Sequence, residues 1–209
     1  AYSTWSLRPW LILKRCGAEF EEVMVALNRP DTADQIARHA PAGKVPALEV
    51  DGVTVRDSLA IALWAEEHYP HARLWPVDPP ARWVARSVVC EMHSAFGTIR
   101  NDLGMGPDQP MVGEPGEAHL PSDALSAEIR RMVGLWMDAR ARFGEGGPYL
   151  FGEWSVADAF FTPVAARFRH FRIDLDAHGD DGTAAEYCRT LLSQADFLEW
   201  SAAGLAEIG

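Results

Sequence analysis

Gly43-Lys44-Val45-Pro46-Ala47-Leu48-Glu49-Val50, then Asp51-Gly52, then Asp57-Ser58-Leu59-Ala60-Ile61, is the stretch on which the fold turns. A strand entered through Pro46 loses no ladder bond, because its first residue can do without an N–H. Asp51-Gly52 is a strong hairpin-turn dipeptide. Ser58, ahead of Leu59, Ile61, Ala62 and Ala65, reads as the N-cap of an amphipathic helix. The free N–H groups and the dipole of that helix start favour an anion, so a ligand carboxylate is expected there.

Upstream, Leu7 to Cys16 reads as a helix with Leu7, Trp10, Leu11 and Lys14 on one face and Gly17 as its terminator. Ser6 is its expected N-cap, and Pro9 falls in the first turn, where a missing N–H does no harm. Phe20 to Leu27 has strand character, weakened by Glu21 and Glu22. Thr32-Ala33-Asp34-Gln35 reads as a capping box for a short helix. A helix over Ser58 to Tyr69 closes a βαβ…ββα order, the pattern of a thioredoxin-like fold.

Pro70, Pro76, Pro79 and Pro80 make the next segment a stiff linker, too rich in Pro for helix. Beyond it every long periodic segment is helical. Ala81 to Met105 reads as one helix, and Gly106 to Pro121 as a Gly- and Pro-rich loop. Ser122 to Phe143 is a second long helix, ended by Gly144 to Gly147. Ser155 to about Phe171 is apolar nearly all round, which marks a buried helix. Ala184 to Leu192 and Phe197 to Leu205 complete a bundle. The expected fold class is therefore a thioredoxin-like α/β N-terminal domain over 1–75, a linker over 76–80 and an all-α C-terminal bundle over 81–209.

The chain has 209 residues, 48% of them apolar, enough for a real core. Its formal net charge of −11 argues against nucleic acid as a partner, which needs a basic patch. No apolar run approaches the ~18 residues that would span a membrane. Cys16, Cys90 and Cys188 form neither a metal pattern nor a disulfide framework. Each lies in a segment that reads as helix, so buried free thiols in a reducing, cytoplasmic compartment are expected, with no metal.

The Gly43–Ile61 motif resembles the glutathione-binding half of the cytosolic glutathione transferases. Tyr2-Ser3-Thr4-Trp5-Ser6-Leu7-Arg8-Pro9-Trp10 is similar to the opening of a bacterial, Ser-type, zeta/theta-like branch. Gly152-Glu153-Trp154-Ser155-Val156-Ala157-Asp158 matches the helical-domain motif. The resemblance covers essentially the whole chain. It implies a cis Val45–Pro46 bond with Val45 as a backbone ligand to the cysteinyl part of glutathione. It also implies an Asp57–Ser58 pair that holds the γ-glutamyl group, and a homodimer. The first strand of such a fold needs residues ahead of Tyr2, which points to a trimmed N-terminus.

A glutathione thiol is activated by a helix start or a hydroxyl donor. Tyr2, Ser3, Thr4 and Ser6 qualify by type. Ser3 has the spacing from Gly17 at which relatives carry the catalytic Ser. Ser6 reads mainly as a cap that can still point at the thiolate. Trp5 stands where beta-like members carry a Cys, which argues against mixed-disulfide chemistry. Lys44 either pairs with the glycine carboxylate of glutathione or is an exposed loop lysine. Arg8 either stabilises an electrophile or lies on the surface of its helix. Met92, His93, Phe96, Ile99 and Arg100 fall at spacings that can face one side of a single helix, as the lining of an electrophile pocket or as an ordinary amphipathic stripe, with Met105, Trp136 and Arg140 as weaker pocket candidates. Ser155 and Asp158 read as a structural capping box.

The expected activity is conjugation of glutathione, as co-substrate, to a small hydrophobic electrophile. The alternatives are a glutathione-dependent isomerase of the maleylacetoacetate type and a non-catalytic module that keeps the fold. Against the isomerase, Ser3-Thr4-Trp5 replaces the Ser-Ser-Cys run of that class.

Overall fold

The computed structural model describes residues 3–106 and 112–208. Tyr2, one of the hydroxyl candidates, lies outside them.

Helix α1 spans Thr4–Cys16 and ends at Gly17, whose φ of 65° is the left-handed conformation glycine adopts without strain. Its start differs from expectation. Ser3, not Ser6, is the N-cap, and Ser3 Oγ accepts the Ser6 N–H at 3.1 Å. The helix begins one turn early, so Pro9 sits in its second turn. Burial explains this: Leu7, Arg8, Pro9 and Trp10 are all buried, so the extra turn is held by packing against the rest of the molecule.

Residues 20–27 form no strand. Val23 and Met24 are 58% and 63% exposed, so the segment has no apolar face to bury. It lies against α1 instead, with the Trp10 indole N–H donating to Glu22 at 3.0 Å. Helix α2, Thr32–His39, lacks the expected capping box: Asp31 is its N-cap residue, and Thr32 Oγ1 donates to Ala26 O and accepts the Arg29 N–H.

Strands β1 (Ala47–Val50) and β2 (Val53–Arg56) pair antiparallel, with Ala47 opposite Arg56 and Val50 opposite Val53. Asp51 and Gly52 have φ of 50° and 76°, the two positive values of the two-residue turn that matches strand twist. Val45–Pro46 is cis. Helix α3, Ser58–His68, follows, with Asp57 rather than Ser58 as its N-cap: Asp57 Oδ1 accepts the Leu59 N–H at 2.7 Å. The Asp57 carboxylate caps the helix one residue earlier than expected, which leaves Ser58 as the first helical residue.

The proline-rich segment is partly helical. Pro70–Ala72 is a 3-10 turn, and helix α4 (Pro79–Ser94) has Pro79 and Pro80 in its first turn, where no N–H is needed. The single helix expected from Ala81 to Met105 breaks at Ala95–Phe96. Phe96 is left-handed at φ 58°, and α5 (Gly97–Asp102) starts afresh. Both new ends have distant partners. Glu128 accepts the Thr98 and Ile99 N–H groups at 3.1 and 2.8 Å, and Arg100 donates to the carbonyls of Met92, His93 and Ala95.

Helices α6 (Asp123–Phe143), α7 (Val156–His170), α8 (Thr183–Ser193) and α9 (Ala195–Ile208) complete the chain. Helix α7 is the hub. It is buried almost throughout and packs on α1, α4 and α8. The architecture is a thioredoxin-like α/β N-terminal part, reduced among the described residues to one hairpin with its helices, followed by an all-α part. Among the described residues, no helix is long and apolar enough to cross a membrane. Cys16 is buried, Cys188 half-buried and Cys90 exposed, so the expectation of three buried thiols fails at Cys90, on the outer face of α4.

Candidate functional site

Two helix starts and one helix end converge. At the start of α1, Ser3 Oγ lies 2.8 Å from Ser6 Oγ while accepting the Ser6 N–H. At the start of α3, the Ser58 hydroxyl is fully buried and has no hydrogen-bond partner among the described residues. The hairpin register places Pro46, just before β1, across from Asp57, just after β2. At the end of α4, His93 Nε2 lies 3.1 Å from Asp57 Oδ2. Its ring meets Trp5 edge-on at 5.5 Å and Phe160 at 6.2 Å. Contacts therefore run unbroken from the start of α1 through Trp5 and His93 to the start of α3.

Beneath this surface lie three arginines. Arg8 is 1% exposed, with its guanidinium 4.2 Å from the Trp5 ring centroid and 4.9 Å from that of Phe160. Its Nε and Nη1 are buried without hydrogen-bond partners among the described residues. Burial, then Arg100 and Arg167, lower its pKa to about 9, with Asp57 acting the other way, so it stays charged at neutral pH. Arg167 donates to Leu103 O, Pro163 O and Thr4 Oγ1 at 3.0, 3.1 and 3.2 Å, and burial, then Arg100, bring it down to about 10. Arg100 lies 5.3 Å from the Trp5 ring and is also lowered by burial, with Glu128 opposing. Both Arg8 and Arg100 lie within cation–π range of the Trp5 indole, a contact that eases the placing of like charges near one another. The unsatisfied donors of Arg8 give this cluster capacity for an anion.

The family model described as "Glutathione S-transferase, N-terminal domain" matches residues 2–68. Maleylacetoacetate isomerase of Rattus norvegicus is 27% identical over 179 residues, 84% of this chain and 77% of that protein. Among solved structures, the holo form of maleyl pyruvate isomerase, a bacterial zeta-class glutathione S-transferase, superposes with a TM-score of 0.72 at 21% identity, covering 97% of this chain and 94% of that one. A sphingomonad glutathione S-transferase complexed with glutathione gives 0.63 at 23%, covering 95% and 93%. Residues 2–68 are thus similar to the N-terminal domain of the glutathione S-transferases, and the likeness to the rat isomerase runs over 84% of the chain.

The structure departs from the sequence expectations at several residues. Met92 and Phe96 are buried core side chains, and the break at Ala95–Phe96 means that Met92, His93, Phe96 and Arg100 do not form one continuous helix face. Arg100 spends its donors on the end of α4. Arg8 is not a surface residue. Trp136 is core, against Phe161, Phe168 and Tyr187, and Arg140 clamps the carbonyls of Gly144, Gly147 and Tyr149. Lys44 is exposed and Val45 half-buried. Cavities of about 490 and 580 Å³ lie beside α8, against α6 and α7 respectively, and of the candidate residues only Arg140 lines either, in the first.

Arg167 and the Trp5 indole emerge as site components that sequence reading passed over, and Thr4, a hydroxyl candidate by type, accepts from Arg167. Arg167 had a signal: it is a charge in a helix otherwise apolar nearly all round. Trp5 had none beyond its position.

At the start of α7, Ser155 and Asp158 form a capping box. Asp158 accepts the Ser155 N–H at 2.7 Å, the Tyr187 O–H at 2.8 Å, and the Leu150 N–H and Ser155 O–H at 3.1 Å. Complete burial raises its pKa to about 6 against these bonds.

Proposed function

We propose that this protein is an enzyme that binds reduced glutathione at the starts of α1 and α3 and uses its thiolate as a nucleophile. The observation that carries this is the pair at the head of α3, where a buried Ser58 hydroxyl without a hydrogen-bond partner among the described residues sits beside the Asp57 carboxylate. The hydroxyl and the free N–H groups of that helix start suit the γ-glutamyl carboxylate, and Asp57 suits its amine. Val45 next to the cis Pro46 serves the cysteinyl backbone, and Lys44 the glycine carboxylate. Ser3 donates to the thiolate. When Ser6 turns its hydroxyl proton to Ser3 Oγ, the Ser3 proton is free to point outward, so Ser6 supports Ser3.

Sulfur then attacks an electrophile held beside His93 and the arginines, with proximity and thiolate stabilisation as the protein's contribution. In transfer, the C–S bond forms as a leaving group departs with its electron pair, or as a conjugated double bond opens and its carbanion takes a proton, and the product leaves as a conjugate. The second reading, isomerisation, is favoured by the buried arginines and the unsatisfied donors of Arg8, which suit a carboxylated electrophile. There sulfur adds to a cis double bond, the bond rotates, and elimination returns glutathione. One experiment separates them: a cis-configured carboxylated enone is supplied with substoichiometric glutathione. Isomerisation goes to completion with free thiol unchanged, whereas transfer stops when the thiol is consumed. No reaction and no calorimetric glutathione binding would overturn both.

The same proposal divides the chain into 1–75 and 81–209 with a linker at 76–80, whose last two residues form the first turn of α4. It also takes a cytoplasmic homodimer. Leu63, Val77 and Trp83, at 45%, 69% and 65% exposure, support an apolar contact between copies, which sedimentation velocity tests.

A further inference from the structure

Asp57 is held from two sides. Its Oδ1 accepts the Leu59 N–H at 2.7 Å, and its Oδ2 lies 3.1 Å from His93 Nε2 on α4. Its backbone has φ 80°, strained for any residue but glycine, and such strain persists only where surroundings hold it. His93 is itself wedged between Trp5 of α1 and Phe160 of α7. Its Nδ1 is buried with no hydrogen-bond partner among the described residues, so Nε2 is the engaged nitrogen of the ring. A carboxylate only accepts, so Nε2 carries the proton that faces Asp57. The ring is thus committed to Asp57 rather than to an electrophile.

We propose that His93 is a positioning residue for Asp57: reaching across from α4, it fixes the carboxylate oxygen that meets the γ-glutamyl amine of glutathione. The proposal rests on the glutathione reading above. It moves His93 from the electrophile side to the co-substrate side, and it makes the helical half of the chain part of the glutathione site.

The test is calorimetry on the full chain with two probes: glutathione, and its glutaryl analogue that lacks only the γ-glutamyl amine. His93→Met fills the ring's space and cannot donate. It should weaken glutathione about tenfold and leave the analogue within about twofold of wild type. His93→Gln, whose amide N–H can reach the same oxygen, should return glutathione affinity to within about twofold of wild type. In steady state, His93→Met should raise the KM for glutathione by a larger factor than it lowers kcat. Equal weakening of both probes by His93→Met overturns the proposal, as does a loss in His93→Gln as large as in His93→Met. Should His93→Met not fold, His93→Gln is measured in wild-type and Asp57→Asn backgrounds with Asp57→Asn alone. Fully additive effects then overturn the proposal and coupled ones support it. Wild-type protein that binds no glutathione overturns the functional reading and this proposal together. Wild-type binding with His93→Met unaffected overturns this proposal alone.

Discussion

Helices α3 and α7 both open on an aspartate and a buried serine, yet the two starts are opposites. At α7 every group is answered: Asp158 takes four donors, from Ser155, Leu150 and Tyr187, and nothing is left over. At α3 the Ser58 hydroxyl is as deeply buried as Ser155 and has no hydrogen-bond partner among the described residues, while Asp57 is half exposed. Burying a polar group without a partner costs free energy, so a fold that could satisfy it internally would do so. A saturated helix start is scaffold, and an unsatisfied one is capacity for a ligand.

The largest expected effect lies on the saturated side. Asp158→Ala strands the Ser155 and Leu150 N–H groups and the Tyr187 hydroxyl, and should lower stability by about 3–5 kcal/mol. Glutathione affinity of the folded fraction should not change; a large change would erase the contrast between the two starts. A pH series sharpens it. Burial raises the Asp158 pKa from 3.8 to about 6, so the folded state binds the extra proton between those values. The stability due to this carboxyl is therefore full below its unfolded pKa and is lost as pH rises through its folded one, by about 3 kcal/mol in all. Asp158→Asn should remove that slope from the stability–pH curve measured by urea unfolding.

Next in size, Arg8→Met should lower kcat/KM for a carboxylated electrophile about 100-fold and spare an uncharged one. Its melting temperature should not fall, because a buried guanidinium with unsatisfied donors is a burden to the fold. A stability loss without a change in substrate preference would make Arg8 scaffold, like Asp158.

Smaller effects follow at the serines. Ser3→Ala should lower turnover about tenfold while glutathione still binds, and also cost about 1 kcal/mol as a lost N-cap. Ser3→Thr should recover both. Ser58→Ala should weaken glutathione about tenfold by calorimetry without lowering the melting temperature. Ser155→Ala should do the reverse, losing about 1 kcal/mol of stability and no affinity. Matching behaviour of these last two would break the comparison outright.

What the sequence determined by itself was mostly local or motif-borne. The Asp51-Gly52 turn, the hairpin, Gly17 ending α1 and the Ser155–Asp158 box are each decided within a few residues, by backbone groups that need the nearest side chain of the right type. The three motifs in order carried the resemblance to the glutathione transferases, which the family model matches over residues 2–68. Tertiary structure decided what depends on a distant partner. The break at Ala95–Phe96 is secured by Glu128, the extra turn of α1 by burial, and the fate of residues 20–27 by the Trp10 indole. Arg8, read as a surface residue, is buried because α7 brings Phe160 over it, and His93 meets Asp57 only because α4 packs beside the start of α3. Spacing along one helix says which side chains share a face. It carries no information on which donor, many residues away in sequence, will answer a given oxygen, because that is set by how the helices pack.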